Sequence, residues 1–524
     1  MKHFDIHFYT LSLLFLAYSG GAGAQNDSPD EGLSVAGTEL LKDQKLWSKS
    51  GNAAGTAFDN TRNYSRLHIN YESATGDFHR AYTGKTVRDA NIYTEGFLNL
   101  DKVFVWGEFR FTHENVSGAR FNASITDPYR GQPYFVADDG QESAWRNQHY
   151  HLKFRAATPV VFGRFTFGLE GTYKAQVAAK QLDPRVTARF FTLQLAPGVT
   201  YSLNDHDAIG AHLTYASVKE ESEMTLENNK VQPHYYELYG LGTAHHGIGS
   251  GRTTNYFGNR WGIGVQYGHH DNAWDVLAEL TFNKYVENNE ISFTTPRKDG
   301  LVEDKAFGAT FQAIRHGQKL THQADLTLQH RAINGIMYLS QRDNTEANAG
   351  WIILHHDVRS TFKTTDLGLR YALIANRGAE YDWRADVNVG YRKHNDKFLL
   401  PLSTKNSENI YLGLDAKKNF SIGRSMHRRL LIGLNAQWKN AISGAYSYGG
   451  ANPELTPVTL IEPLDEAYLL SDAWRCGALI TYSQLLKPHT KVNGYAQVAF
   501  DYAHTRDFDF HHRSCLSLTV GLNF

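Results

Sequence analysis

The 524-residue chain contains only two cysteines, too few for a disulfide scaffold or a zinc-ribbon ligand set. An excess of either charge is missing too. The 53 Lys and Arg against 54 Asp and Glu leave a net charge of −1, which removes the basic footprint of a nucleic-acid binder. Past the N-terminus, no apolar run approaches the length of a membrane-spanning helix, about 18 residues or more, so a helical membrane protein is excluded. Mean hydropathy is −0.46. The chain lacks a G-x-S-x-G, an H-E-x-x-H, a Walker loop and a Rossmann fingerprint in strand–helix context; no enzymatic constellation and no cofactor are expected. What is abundant is glycine, at 45 residues, and aromatics, with 29 Phe, 29 Tyr and 9 Trp.

Residues 1–24 read as a secretory signal. Lys2 and His3 precede the short apolar stretch Phe8–Tyr18, and Ala22-Gly23-Ala24 supplies an A-x-A cleavage site before Gln25. Residues 25–63 are polar and rich in small side chains, with a short helix expected over Thr38–Lys45. This stretch is either a periplasmic tail or a small hatch inserted into the rest of the chain.

From Tyr64 to Phe524 the dominant period is two, the period of a strand. Leu516, Leu518, Val520, Leu522 and Phe524 share one face, against Ser517, Thr519, Gly521 and Asn523. Trp274, Val276, Ala278, Leu280 and Phe282 alternate in the same way with Asp275, Leu277, Glu279, Thr281 and Asn283. A soluble sandwich and a transmembrane barrel both produce such alternation. Three features select the barrel. The segments run about 9–12 residues, long enough to cross a bilayer when tilted. Short turns such as Leu203–Asp207 and His316–Lys319 alternate with loops of roughly 15–40 residues, as in outer-membrane barrels. The apolar faces often begin or end in Tyr, Trp or Phe, as interfacial girdles do. About eighteen strands can be counted, with sixteen as the alternative. An even number puts both chain ends on the periplasmic side. The region 331–363, with Trp351–Leu354, is expected to extend a strand above the membrane.

The terminal alternation ending in Phe524 resembles the C-terminal signature of Gram-negative outer-membrane barrels. That resemblance implies an outer-membrane location and makes the barrel-assembly machinery and outer-membrane lipid its partners. The chain as a whole resembles the large outer-membrane β-barrel proteins of Bacteroidota. Ser50-Gly51-Asn52-Ala53-Ala54-Gly55 is similar to the Asn-Pro-Ala-Gly element in the N-terminal hatch of fatty-acid-transporter-like barrels, with Ala53 where that element has proline. About forty residues before Tyr64 are too few for the full plug domain of a TonB-dependent receptor.

The alternation assigns charged side chains to the lumen. Candidates are Arg110, Lys153, Arg155, Arg164, Asp275, Glu279, Arg384 and Asp386, since ionisable residues facing a membrane lumen are functional candidates. The two signs balance and give no anion or cation preference. Among 25 histidines, His234, His245 and His246 in the loop 219–260 are the candidate metal ligands, with Glu237 nearby, although adjacent histidines in a strand point to opposite faces. Two functions fit: a channel or uptake protein for a small solute, or a surface binding barrel whose outer loops capture a ligand, metal, haem or partner protein above a plugged lumen.

Overall fold

The computed structural model describes residues 33–524, apart from 60–61, 139–140, 229, 231, 249–251, 293–294, 344–349, 424–426, 488–490 and 507–510. The signal sequence expected at residues 1–24 lies outside the described residues. Eighteen antiparallel strands close into one barrel. The last strand, His512–Asn523, pairs with its predecessor Asn493–Thr505 and also with the first, Tyr64–Gly76. Its register on the first runs from Arg66↔Asn523 to Gly76↔Arg513. Closure leaves no sheet edge, which a strand-built membrane protein requires because lipid offers backbone groups no hydrogen bonds.

The two faces differ as the alternation demands. Outward-facing Leu280 and Phe282 remain 50% and 45% exposed, and Val520 66%, an apolar surface left open by the other described residues. Lipid is the only solvent that suits it. Inward neighbours such as Glu287, Thr481 and Gln323 are buried. The outward face from Trp274 to Phe282 spans a stretch close to the roughly 9–11 residues a tilted strand needs to cross a bilayer. Phe524 lies half-exposed in phase with Leu518 and Val520, its backbone paired with Ser65.

Strands are longer than their periodicity suggested. Leu320–Arg342 has 23 residues and Trp351–Arg377 has 27, so much of 331–363 is a hairpin rising above the membrane. Both faces of that hairpin are polar in places, so the two-residue pattern fades although the backbone ladder continues. Some outer connections are correspondingly short, for example residues 400–401 between Glu380–Leu399 and Leu402–Ser421.

The outer loops also hold structure that alternation did not reveal. Tyr134–Asp138, His234–Gly240 and Thr243–Ile248 form a separate three-stranded sheet. A helix, Glu462–Leu470, follows a single π-turn in the loop before Ala473–Leu485.

Candidate functional site

The first described residues lie within the barrel at its short-turn end. Ser34 caps the helix Val35–Asp43 by accepting from Gly37 N at 3.1 Å, satisfying one of the four amides a helix start leaves unpaired. Val35, Ala36 and Leu40 then pack on inward-facing Ala372, Ile374, Tyr381, Leu431 and Tyr495. The polar side of the helix is fastened to the wall. Lys42 Nζ pairs with Glu95 at 2.7 Å, Lys417 Nζ with Glu39 at 2.9 Å, and Asp43 with Arg384.

From there the segment crosses to the opposite wall. Trp47 enters an apolar niche with Leu46, Ala208, Leu277 and Ile314. Asn52, fully buried, donates to the strand carbonyls of Val199 at 3.0 Å and Ala211 at 3.2 Å, and to Gln266 Oε1 at 3.0 Å. The wall is notched to receive it. A β-carbon at Gly168 would stand 2.2 Å from Ala54 N, and one at Gly198 2.1 Å from Asn52 Oδ1. Only residues without a side chain admit the segment's backbone this closely.

Three of the expected lumen residues grip this segment. Arg155, 4% exposed, donates to Ser50 O at 2.5 Å and Trp47 O at 3.3 Å while pairing with Glu170. Glu279 accepts from Gly51 N at 2.9 Å. Arg384 joins Asp43 to Asp386, which also accepts from Arg370 at 2.7 Å. The other candidates are placed apart from it. Lys153 pairs with Glu170 at 3.1 Å, and Arg110 lies over the Tyr93 ring at 4.9 Å. Asp275 sits at the short-turn rim against His316 and His270. Arg164 requires correction: it is not in the lumen. The chain turns at Phe162 and Gly163, both with positive φ, and Arg164, exposed in that short turn, donates from Nη1 to Tyr201 Oη at 3.0 Å at the short-turn rim. The strand alternation does not extend back into that turn. Glu39, Asp43, Lys417 and Glu95 were missed, since nothing in the sequence links a polar segment to strands hundreds of residues away. For Asn52 a signal existed, in the element Ser50–Gly55.

Above the segment lies a cavity of about 1110 Å³. Six of its wall charges form ion pairs: Arg370 with Asp325 at 3.0 Å, Arg475 with Asp501 at 3.2 Å, and Arg392 with Asp366. Phe78, Arg80, Tyr468 and Leu469 of the outer loops also line it. The loops form a second closure with a core of its own, including Phe121, Tyr134, Phe135, Met224, Tyr256 and Ile461. Buried charge ties it to the wall. Arg130 Nε donates to Glu287 at 2.9 Å, Asp465 accepts from Arg80 at 2.7 Å and from Lys405 at 2.8 Å, and Glu220 accepts from the amides of Ile125 and Thr126 at 2.7 Å. The lumen is therefore interrupted twice.

The histidine set is redistributed. His246 opposes Tyr236 and His245 opposes Glu237 across the loop sheet, so His245 and Glu237 share one face while His234 and His246 share the other. The residue that joins His234 and His246 is Asp138, on the adjacent strand. The two cysteines are free, on strands separated by Asn493–Thr505.

The chain belongs to a family of unknown function (DUF6850), whose model matches residues 53–524. No curated protein matches the sequence. Among solved structures it is similar to BauA, the ferric preacinetobactin receptor from Acinetobacter baumannii, at 8% identity over 88% of this chain and 80% of that one, with a TM-score of 0.41. The RagAB peptide importer in its closed-closed state gives 7% identity, 88% and 87% coverage and a TM-score of 0.39. The FrpB iron transporter from Neisseria meningitidis gives 9%, 94% and 83%, and 0.39.

Proposed function

We propose that the protein is an outer-membrane uptake barrel for a small polar solute, with the N-terminal segment as a hatch and the outer loops as a lid. The observation that carries this reading is the cavity of about 1110 Å³ between the two closures, walled by charges of both signs that match polar groups. A lumen kept only as structural fill has no need of an open chamber lined by charged side chains at its centre. Export by residues 1–24, cleavage after Ala24 and recognition of Phe524 by the barrel-assembly machinery belong to the same reading.

Planar-bilayer recording tests it. The wild-type barrel is expected to be nearly silent. In a background carrying Asp465→Ala, which loosens the lid by removing the carboxylate between Arg80 and Lys405, adding Asn52→Ala and Arg155→Ala, which removes the hatch's deepest hydrogen bonds, is expected to give stable open-channel steps. A variant set that folds, as judged by heat-modifiable mobility, yet stays as silent as the Asp465→Ala background overturns the hatch. The barrel then becomes a plugged surface binder.

A further inference from the structure

Two outer loops meet at the three-stranded sheet. Asp138 comes from the loop that follows Phe104–Ala119, and His234 and His246 come from the loop that follows Asp207–Thr225. We propose that Asp138, His234 and His246 bind a divalent transition-metal ion of borderline softness, and that the ion staples the two loops together.

Strand geometry brings the three side chains together. Asp138 stands directly opposite His234 in the antiparallel ladder. His246, opposite Tyr236, is the diagonal neighbour of His234 on the same face. One ligand atom from each residue lies within 4.8 Å of the other two. His246 Nε2 is 3.7 Å from Asp138 Oδ2, near the roughly 3.4 Å that separates two ligands on a tetrahedral ion with bonds of about 2.1 Å. The imidazoles are 4.5 Å apart between centroids, at 65°, an edge-on pose that lets nitrogens converge instead of stacking the rings.

The surroundings fix this pose. The Tyr236 ring stacks on His246 at 4.8 Å. Thr456, from a third loop, points its hydroxyl at Asp138 Oδ1 from 3.4 Å, and Tyr236 Oη donates to the Thr456 hydroxyl at 3.2 Å. Such outer partners orient ligands and raise affinity. Two imidazoles and one carboxylate suit zinc, nickel or copper. Calcium and magnesium ask for an all-oxygen shell. His246 is 39% exposed, so positions on the ion stay open to water or an incoming ligand.

The test uses the full-length barrel in detergent, purified without a histidine tag, stripped with chelator and titrated calorimetrically with Ni²⁺ or Zn²⁺, with Mg²⁺ as control. One ion per chain is expected, with a Kd on the order of 10 μM or tighter, and no Mg²⁺ heat. Asp138→Asn, His234→Ala and His246→Ala should each weaken binding by about tenfold or more, and Thr456→Val by about tenfold. His245→Ala should leave it unchanged, because that ring lies on the opposite face. Failure of the wild type to bind, equal loss in His245→Ala and His246→Ala, or undiminished binding in the His234→Ala/His246→Ala double variant overturns the site. Heat-modifiable mobility separates loss of the site from loss of the barrel. Conductance plays no part in the readout, so failure here leaves the hatch untouched.

Discussion

At the outer end of the lumen, Asp465 is 2% exposed between Arg80 and Lys405, and the loops above it bury Tyr134, Tyr256 and Phe135 completely or nearly so. At the inner end, Lys42 reaches Glu95 with 41% of its own side chain exposed, and Glu39 and Lys417 are both about a quarter exposed. The outer closure is a small core with buried ion pairs. The inner one is a strap held by the buried hydrogen bonds of Asn52 and Arg155, two small apolar clusters, and ion pairs with at least one partly exposed partner. Breaking a buried pair leaves a charge stranded in low dielectric, at about 3–5 kcal/mol. An exposed pair contributes about 0–1 kcal/mol. On the proposed hatch reading, the strap is the end expected to let go and return, while the lid holds its shape.

The largest effect is expected where that contrast is sharpest. Asp465→Ala leaves Arg80 without its carboxylate and Lys405 with Glu462 alone, and should destabilise the lid by about 3–5 kcal/mol. Limited proteolysis of intact membranes should then cut within residues 448–472, where the wild type resists, while the barrel keeps its heat-modifiable mobility. Unchanged resistance would mean that the aromatic core alone holds the lid.

The inner closure should respond to one methyl group. Gly168→Ala places a β-carbon 2.2 Å from Ala54 N, a backbone atom that cannot swing aside. Overpacking of this kind costs about 1–3 kcal/mol, so opening should rise between about fivefold and 150-fold at 1.4 kcal/mol per factor of ten. Gly390 lines the chamber, and its nearest neighbour to an added β-carbon is 3.4 Å away. Gly390→Ala should behave as wild type in the same bilayer recordings. Equal effects from the two substitutions would remove the argument that Gly168 is a notch for the strap.

The barrel was legible because lipid imposes its requirement on every second residue. Leu280 against Thr281, or Leu518 against Thr519, carries the signal locally. Above the membrane that requirement lapses, so a strand extension through Trp351–Leu354 was legible, but not the full length of the hairpin through Leu339 and His355. Inward direction was legible for Arg155, Glu279 and Arg384, but their partners were not: Ser50 O and Gly51 N are backbone atoms of a segment without period, and pairing across 105 and 228 residues leaves no local trace. The metal-ligand set failed on its third member for a related reason. His245 was chosen by adjacency in sequence, whereas adjacency in a sheet selects Asp138, about a hundred residues earlier.

The smallest expected effect separates the two closures by the sign of their pH response. Burial pushes the Asp59 carboxyl at the end of the strap up to about 7, against the amides of Trp47 and Ser48 and the charge of Lys45. Its folded value lies above the ordinary carboxylate value of about 3.9, so protonation favours the docked strap. That contribution is full below about pH 4 and lost as pH rises through about 7. Asp465 has the opposite sign. Burial alone would raise it, but Lys405 and Arg80 hold it well below the carboxylate range. Its stabilisation is present above about 3.9 and disappears only in stronger acid. Lowering the pH from 7.5 to 5.5 should therefore reduce channel openings while the lid keeps its protease resistance. Lys45, brought down by burial to about 7, is charged in both states through most of that window. His269 and His316 line the same niche as Asp59, and hydrogen bonds to Asp207 and Asp275 hold their imidazoles above the ordinary histidine value, so the deciding variant is Asp59→Asn, which fixes the site in its neutral form. It should flatten the pH dependence at the low-opening level. A variant that keeps the full wild-type response would move the effect from Asp59 to the histidines.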